Sequence, residues 1–181
     1  TEVKVTVFNQ AFSPPESRLE ALVSTKMLLD SPLPPQVATT YAWSLDDDPS
    51  YLIESHPKGP SLRLLLDERG HIDWRTALKI ICSLARNLDW MDGNGVVHRA
   101  LQPENIYVTD IQRGYTHLSE WAIGVLAYQG NPLEAVSQGN LVIAPNYTAP
   151  ELVDGKGSAD RRSTIYTLGI LIYEMLTGNS P

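Results

Sequence analysis

The sequence holds a single cysteine, Cys82, which excludes an intramolecular disulfide and a cysteine-rich zinc site. A reducing, cytoplasmic setting is the simplest expectation, for the chain alone or as the cytoplasmic portion of a larger protein. Basic charge is also scarce: 14 Lys and Arg stand against 21 Asp and Glu, a net charge of −7. Nucleic-acid binders draw affinity from neutralising phosphates, so this balance argues against nucleic acid and suits protein partners. No apolar run approaches the ~20 residues of a membrane span; the densest, 168–173, is far too short. There is no signal-peptide pattern and no internal repeat. What remains is 181 residues, 43% apolar and 19% charged, enough to bury a core in one domain, or one domain and a fragment. Thr1 and Pro181 read as cut ends.

Residues 1–8 alternate, with Val3, Val5 and Val7 on one face and Glu2, Lys4 and Thr6 on the other, a strand signature. Helical spacing predicts a helix over 17–29, between Pro14-Pro15 and the proline-rich stretch 32–35. Short strands are expected over 37–44 and 51–54, around the turn Asp46-Asp47-Asp48-Pro49. Pro57, Gly59 and Pro60 make 55–60 the best domain boundary. Beyond it the chain turns helical: 61–66, then a helix capped by Asp73 with Trp74, Leu78, Ile81, Ala85 and Leu88 as its apolar stripe. Gly93 and Gly95 should end that helix, and 106–108 with 117–118 should form a hairpin. Residues 124–150 make a long irregular segment of the kind that usually carries function. The last helix, 164–177, is apolar almost all round and is expected to be buried on every side, or to leave an apolar face exposed unless flanking chain covers it.

The run His98-Arg99-Ala100-Leu101-Gln102-Pro103-Glu104-Asn105-Ile106-Tyr107-Val108 resembles the catalytic loop of protein kinases, H-R-D-L-K-P-E-N-I-L-V. Leu118-Ser119-Glu120-Trp121-Ala122 falls where kinases carry L-x-D-F-G, and Tyr147-Thr148-Ala149-Pro150-Glu151 is similar to Y-x-A-P-E. Residues 163–178 resemble the central helix of the large lobe, and Tyr51-Leu52-Ile53 with Gly59-x-Ser61-Leu62 the surroundings of the adenine pocket. The resemblance implies an α+β, two-lobed fold: a partial small lobe over 1–54, a hinge over 55–60 and a partial large lobe over 61–181. By it, the first two strands with their Gly-rich loop and the last helices of the large lobe lie outside the 181 residues.

The same resemblance assigns roles residue by residue. Ala100 stands at the catalytic Asp, Gln102 at the loop Lys, and Thr6 at the strand Lys that holds the nucleotide phosphates. Ala144 stands where a Thr would bond to the first two. Losing these interacting groups together avoids leaving a buried Lys or Thr unsatisfied. Lys4, two residues before Thr6 on one strand face, reads first as a solvated lysine and alternatively as a substitute cation. No helix carboxylate is assigned as its partner, Thr25 and Glu20 both being near the position. Asn105 and Glu120 are the candidate metal ligands and, with Lys4, the candidate nucleotide contacts, although Glu is one methylene longer than Asp and magnesium tolerates little distortion. His98 is read as a core histidine, and Arg99 as an ion-pair residue or a clamp for a phosphorylated Tyr128, Ser137 or Thr148. Trp121 takes the packing role of Phe, Ala122 replaces Gly, and Glu151 would pair with an Arg outside the chain. Thr164 replaces the Asp that holds the loop backbone. Glu54 is either the gatekeeper or the hinge Glu, depending on a one-residue gap; as a buried charge at the gatekeeper it would disfavour adenine.

Loss of a general base costs about 10²–10⁴ in rate, against turnover of ~1–100 s⁻¹ for kinases. The expectation is a pseudokinase, a scaffold or allosteric partner without efficient phosphoryl transfer. Two alternatives stay open: an active Ser/Thr protein kinase using ATP and Mg with relocated groups, and a nucleotide-sensing module that binds ATP without metal.

Overall fold

The structure, a computed structural model, describes residues 2–8, 36–44, 50–121, 145–153 and 159–181. The expected helix over 17–29, the turn at 46–49, and Glu20, Thr25, Ala122, Tyr128, Ser137 and Ala144 lie outside those residues.

Three antiparallel strands, β1 (Val3–Phe8), β2 (Thr40–Ser44) and β3 (Ser50–Ser55), form a sheet in the order β1-β3-β2. Register sets Lys4 opposite Glu54 and Thr6 opposite Leu52. Side chains alternate along a strand, so these residues share one face, where Leu52 and Glu54 are fully buried. Val3, Val5 and Val7 point the other way, 46%, 55% and 59% exposed. The alternation thus marks a strand whose polar residues, not its valines, face inward.

The helical part begins with α1 (Leu62–Arg69), capped by the Ser61 hydroxyl accepting from the Leu64 N–H. Next comes α2 (Trp74–Gly93), whose Asp73 carboxylate accepts from the N–H groups of Arg75 and Thr76. A hairpin, β4 (Ile106–Asp110) and β5 (Tyr115–Leu118), follows, then the single turn α3 (Pro150–Val153) and the long α4 (Arg161–Thr177). The two sheets are tied at the end of β5: Leu118 donates to the Gln36 carbonyl at 2.8 Å and accepts from Ala38 at 2.7 Å. This is the α+β arrangement of a two-lobed fold. Among the described residues no helix is long and apolar enough to cross a membrane.

The face of α2 differs from the expectation, and α4 takes the second of its two expected forms, with an apolar face exposed. On α2 the buried stripe is Ala77, Ile80, Ser83, Leu84, Asn87, Leu88 and Met91, whereas Trp74 and Leu78 are exposed. Two stripes of similar spacing interleave there, and polar Ser83 and Asn87 hide the buried one. Their side chains are satisfied by Thr116 of β5, Ser83 Oγ lying 2.9 Å from its hydroxyl. On α4 burial is confined to one stripe, Ser163, Thr167, Leu171, Glu174 and Met175, while Ile165, Tyr166, Tyr173 and Leu176 are exposed.

Gly59 fixes the approach between the two parts. Its φ of +105° and the 2.5 Å that would separate an added Cβ from the Val108 carbonyl oxygen leave no room for a side chain. The neighbouring Pro60 carbonyl accepts from Val108 N–H at 2.9 Å, so the chain cannot back away. Gly59→Ala is expected to lower stability by about 2–4 kcal/mol, read as a lower urea midpoint at unchanged slope. Gly169→Ala, in open space within α4, should raise stability by about 0.5–1 kcal/mol; equal midpoints for the two variants would refute the close approach.

Candidate functional site

The loop after α2 is shaped by its own backbone bonds. His98 is buried and its Nε2–H donates to the Ser119 carbonyl at 3.1 Å. Burial pushes its imidazole down to about 4, so it is neutral at physiological pH. Ala100, Leu101 and Gln102 are buried beside it. Asn105, at the end of a 3₁₀ turn opened by Pro103, donates from Nδ2 to the Ala100 carbonyl at 2.8 Å. Its own carbonyl accepts from Ser119 N–H at 3.0 Å. The loop therefore closes without the side chain of residue 100. A methyl group there has no lone pair to accept a proton or hold a hydroxyl.

Across from this loop stand Lys4, Glu54 and Glu120. The Lys4 ammonium forms an ion pair with the Glu120 carboxylate, the two side chains being 25% and 21% exposed. Lys4 is thus partnered and partly desolvated, not the solvated strand lysine of the first reading. Thr6, half-buried two residues along the same face, is neutral. Glu54 is 1% exposed, and its Oε2 accepts from the Glu120 N–H at 3.2 Å. It therefore lies inside, against Glu120, and not at the surface. Burial pushes the Glu54 carboxyl up to about 7; the Glu120 N–H opposes the rise and the Glu120 charge adds to it. Glu120 itself adopts φ +60°, a left-handed backbone rare outside glycine. Trp121 is fully buried with its indole N–H on the Ala38 carbonyl at 3.0 Å.

Asn105 and Glu120 are the oxygen donors that the resemblance offers to a magnesium ion. As they stand they do not fit one, because Lys4 already neutralises Glu120. Among the described residues no three His, Cys, Asp or Glu side chains are grouped to hold a metal.

On the opposite side of the loop a second polar group was not foreseen. Glu174 of α4, 2% exposed, accepts from the Tyr147 hydroxyl at 2.5 Å and from Arg63 of α1 at 2.9 Å. Arg63 also reaches Glu104 at 3.0 Å. Against the pull of desolvation, these carboxylates hold the guanidinium above its ordinary value; burial, then Glu174, does the same for the Tyr147 phenol. A lone glutamate within a nearly all-apolar helix was the available signal. Thr167 Oγ1 completes the anchor, donating to the Tyr147 carbonyl at 2.8 Å. Thr148 is half-buried beside it and Glu151 is exposed on α3. Thr164 binds the Asp160 carbonyl of its own helix start at 3.3 Å.

The Glu54 carboxyl has a testable consequence. Its pKa is raised in the folded state, so its contribution is full below about 4.5 and is lost as pH rises through about 7. The loss is roughly 3 kcal/mol. His98 runs the other way, losing its contribution as pH falls from 6.5 through about 4, so the comparison must be with Glu54→Gln. That variant should match wild type in urea unfolding near pH 4.5 and exceed it at pH 7.5; a difference that stays constant with pH would overturn the assignment.

The Protein kinase domain model matches residues 16–181. The chain is 29% identical over 145 residues to a probable serine/threonine-protein kinase of Clostridium acetobutylicum, covering 80% of this chain and 21% of that protein. It is 31% identical over 145 residues to the serine/threonine-protein kinase PknL of Mycobacterium tuberculosis, covering 80% of this chain and 35% of that one. It is 28% identical over 162 residues to human cGMP-dependent protein kinase 2, covering 90% and 20% respectively. The chain spans between a fifth and about a third of the length of these relatives. By the match to its sequence and by its α+β architecture, the chain belongs to the protein kinase domain family.

Proposed function

We propose that this domain is a pseudokinase: a kinase-like scaffold or allosteric regulator in signalling that acts through protein partners without efficient phosphoryl transfer. In this reading residues 1–54 are a partial small lobe, 55–60 the hinge and 61–181 a partial large lobe, in a cytoplasmic setting. The observation that carries it is Ala100. It is buried in a loop that keeps its form through Asn105 and the Ala100 carbonyl, with Gln102 rather than a cation two residues on. Phosphoryl transfer is mostly positioning and charge stabilisation, and the groups that would orient a hydroxyl and neutralise the moving phosphate are neutral here. Arg99, His98, Trp121 and Glu151 keep structural roles in this reading.

One observation favours a second reading. Lys4 reaches Glu120, the contact a relocated strand lysine would need in an active Ser/Thr kinase binding ATP with Mg through Lys4, Asn105 and Glu120. A metal-independent nucleotide sensor would use the same lysine.

Transfer of the γ-phosphate from ATP and magnesium, to the domain itself and to a generic Ser/Thr protein substrate, separates these readings. The expected result is no transfer above a heat-denatured control, in wild type and in Asn105→Ala alike. Transfer by wild type that disappears in Asn105→Ala would replace the pseudokinase reading with the active one. A melting shift with ATP that persists in chelator would support the sensor.

A further inference from the structure

A cleft of this family would be expected to recruit its positive charge from solution, yet at Glu120 the charge belongs to the chain. Lys4 is the only cation of β1, and register points it to the face of the sheet that carries Glu54. Its ammonium contacts the Glu120 carboxylate, with both side chains about three-quarters withdrawn from water. Glu54 closes the group from β3. Its Oε2 holds the Glu120 N–H, while Oε1 is buried with no hydrogen-bond partner among the described residues. The left-handed backbone at Glu120 is kept in place by that bond. Such a conformation costs free energy and persists only where its surroundings fix it.

We propose that Lys4 is a tethered substitute for a divalent cation, so that the metal position at Glu120 is filled by the protein's own ammonium. Two features fit this role. An ammonium can meet a single carboxylate without a fixed coordination shell, whereas a divalent ion held by one or two carboxylates must keep several waters in a near-octahedral shell. The extra methylene of Glu over Asp gives the carboxylate the reach to meet a side chain coming from β1. Without Lys4, two acidic residues, Glu54 and Glu120, would face each other in a partly dry site. Removing one partner of a withdrawn pair leaves a charge that must find another cation or open to water. The inference uses the Lys4–Glu120 contact and not the missing carboxylate at Ala100, so it can fail while the pseudokinase reading holds, and the reverse.

Lys4→Met tests it, with Mn²⁺ as the probe, followed by the paramagnetic signal of the free ion and by melting temperature. Wild type should take up no Mn²⁺ at low millimolar concentration and melt at the same temperature with MnCl₂ as with KCl of equal ionic strength. Lys4→Met should bind Mn²⁺ stoichiometrically and melt higher with it, and Lys4→Met/Glu120→Gln should lose both effects. Lys4→Arg, which keeps the charge, should behave as wild type. If Lys4→Met does not fold alone, Mn²⁺ should restore its circular dichroism; failure to restore it would count against the proposal. Mn²⁺ uptake by wild type that Glu120→Gln abolishes, or a folded Lys4→Met that ignores Mn²⁺, would overturn it.

Discussion

Four consecutive residues, Leu118 to Trp121, carry the hydrogen bonds on which the rest of the structure depends. Leu118 joins the stretch 36–38, Ser119 joins both His98 and Asn105, Glu120 joins Glu54, and the Trp121 indole returns to Ala38. Buried backbone groups must be paired, and here the partners come from the stretch 36–38 and β3 on one side and the loop after α2 on the other. The relative placement of Lys4, Glu54 and Ala100 is therefore a consequence of backbone pairing. Side-chain chemistry can change at such a site without the fold changing with it.

The two deeply buried glutamates among the described residues, Glu54 and Glu174, show how differently the molecule handles charge on either side of that loop. Glu174 is met by a guanidinium and a phenol, so its negative charge is paired. Among the described residues Glu54 receives one backbone N–H on one oxygen and no hydrogen bond on the other, and burial pushes its carboxyl up to about 7. A compensated charge anchors structure, whereas an under-compensated one leaves a demand for a proton or a cation. The first belongs to the anchoring of residues 145–153, the second to the cleft.

Much of this was legible in the sequence where short-range rules decide the outcome. Asp73 announces a helix start because a cap is a local bond, and the run 98–108 was legible through its resemblance to the kinase catalytic loop. The buried stripe of α2 was not legible, because Ser83 and Asn87 look like solvent-facing residues until Thr116 is brought beside them from another element. The inward face of β1 was hidden for a similar reason, since valines normally turn inward and here they do not. Lys4 read first as a surface lysine. Only the pairing of β1 with β3 and the bond from Glu120 to Glu54 make it an internal one.

These misreadings share a cause that bears on function. Ser83, Glu174 and Lys4 are withdrawn from water because a partner more than twenty-five residues away in sequence meets each: Ser83 with Thr116, Glu174 with Arg63, Lys4 with Glu120. A folded chain keeps such residues only where the pairing withstands the cost of removing both partners from water. At Ala100 and Gln102 the opposite holds, since neutral groups are buried where charges would have needed each other. In the proposed pseudokinase reading the loop buries neutral groups at 100 and 102, while the cleft keeps the Lys4–Glu120 ion pair beside an under-compensated Glu54. That division suits a domain whose shape, and not its turnover, is the property to be maintained.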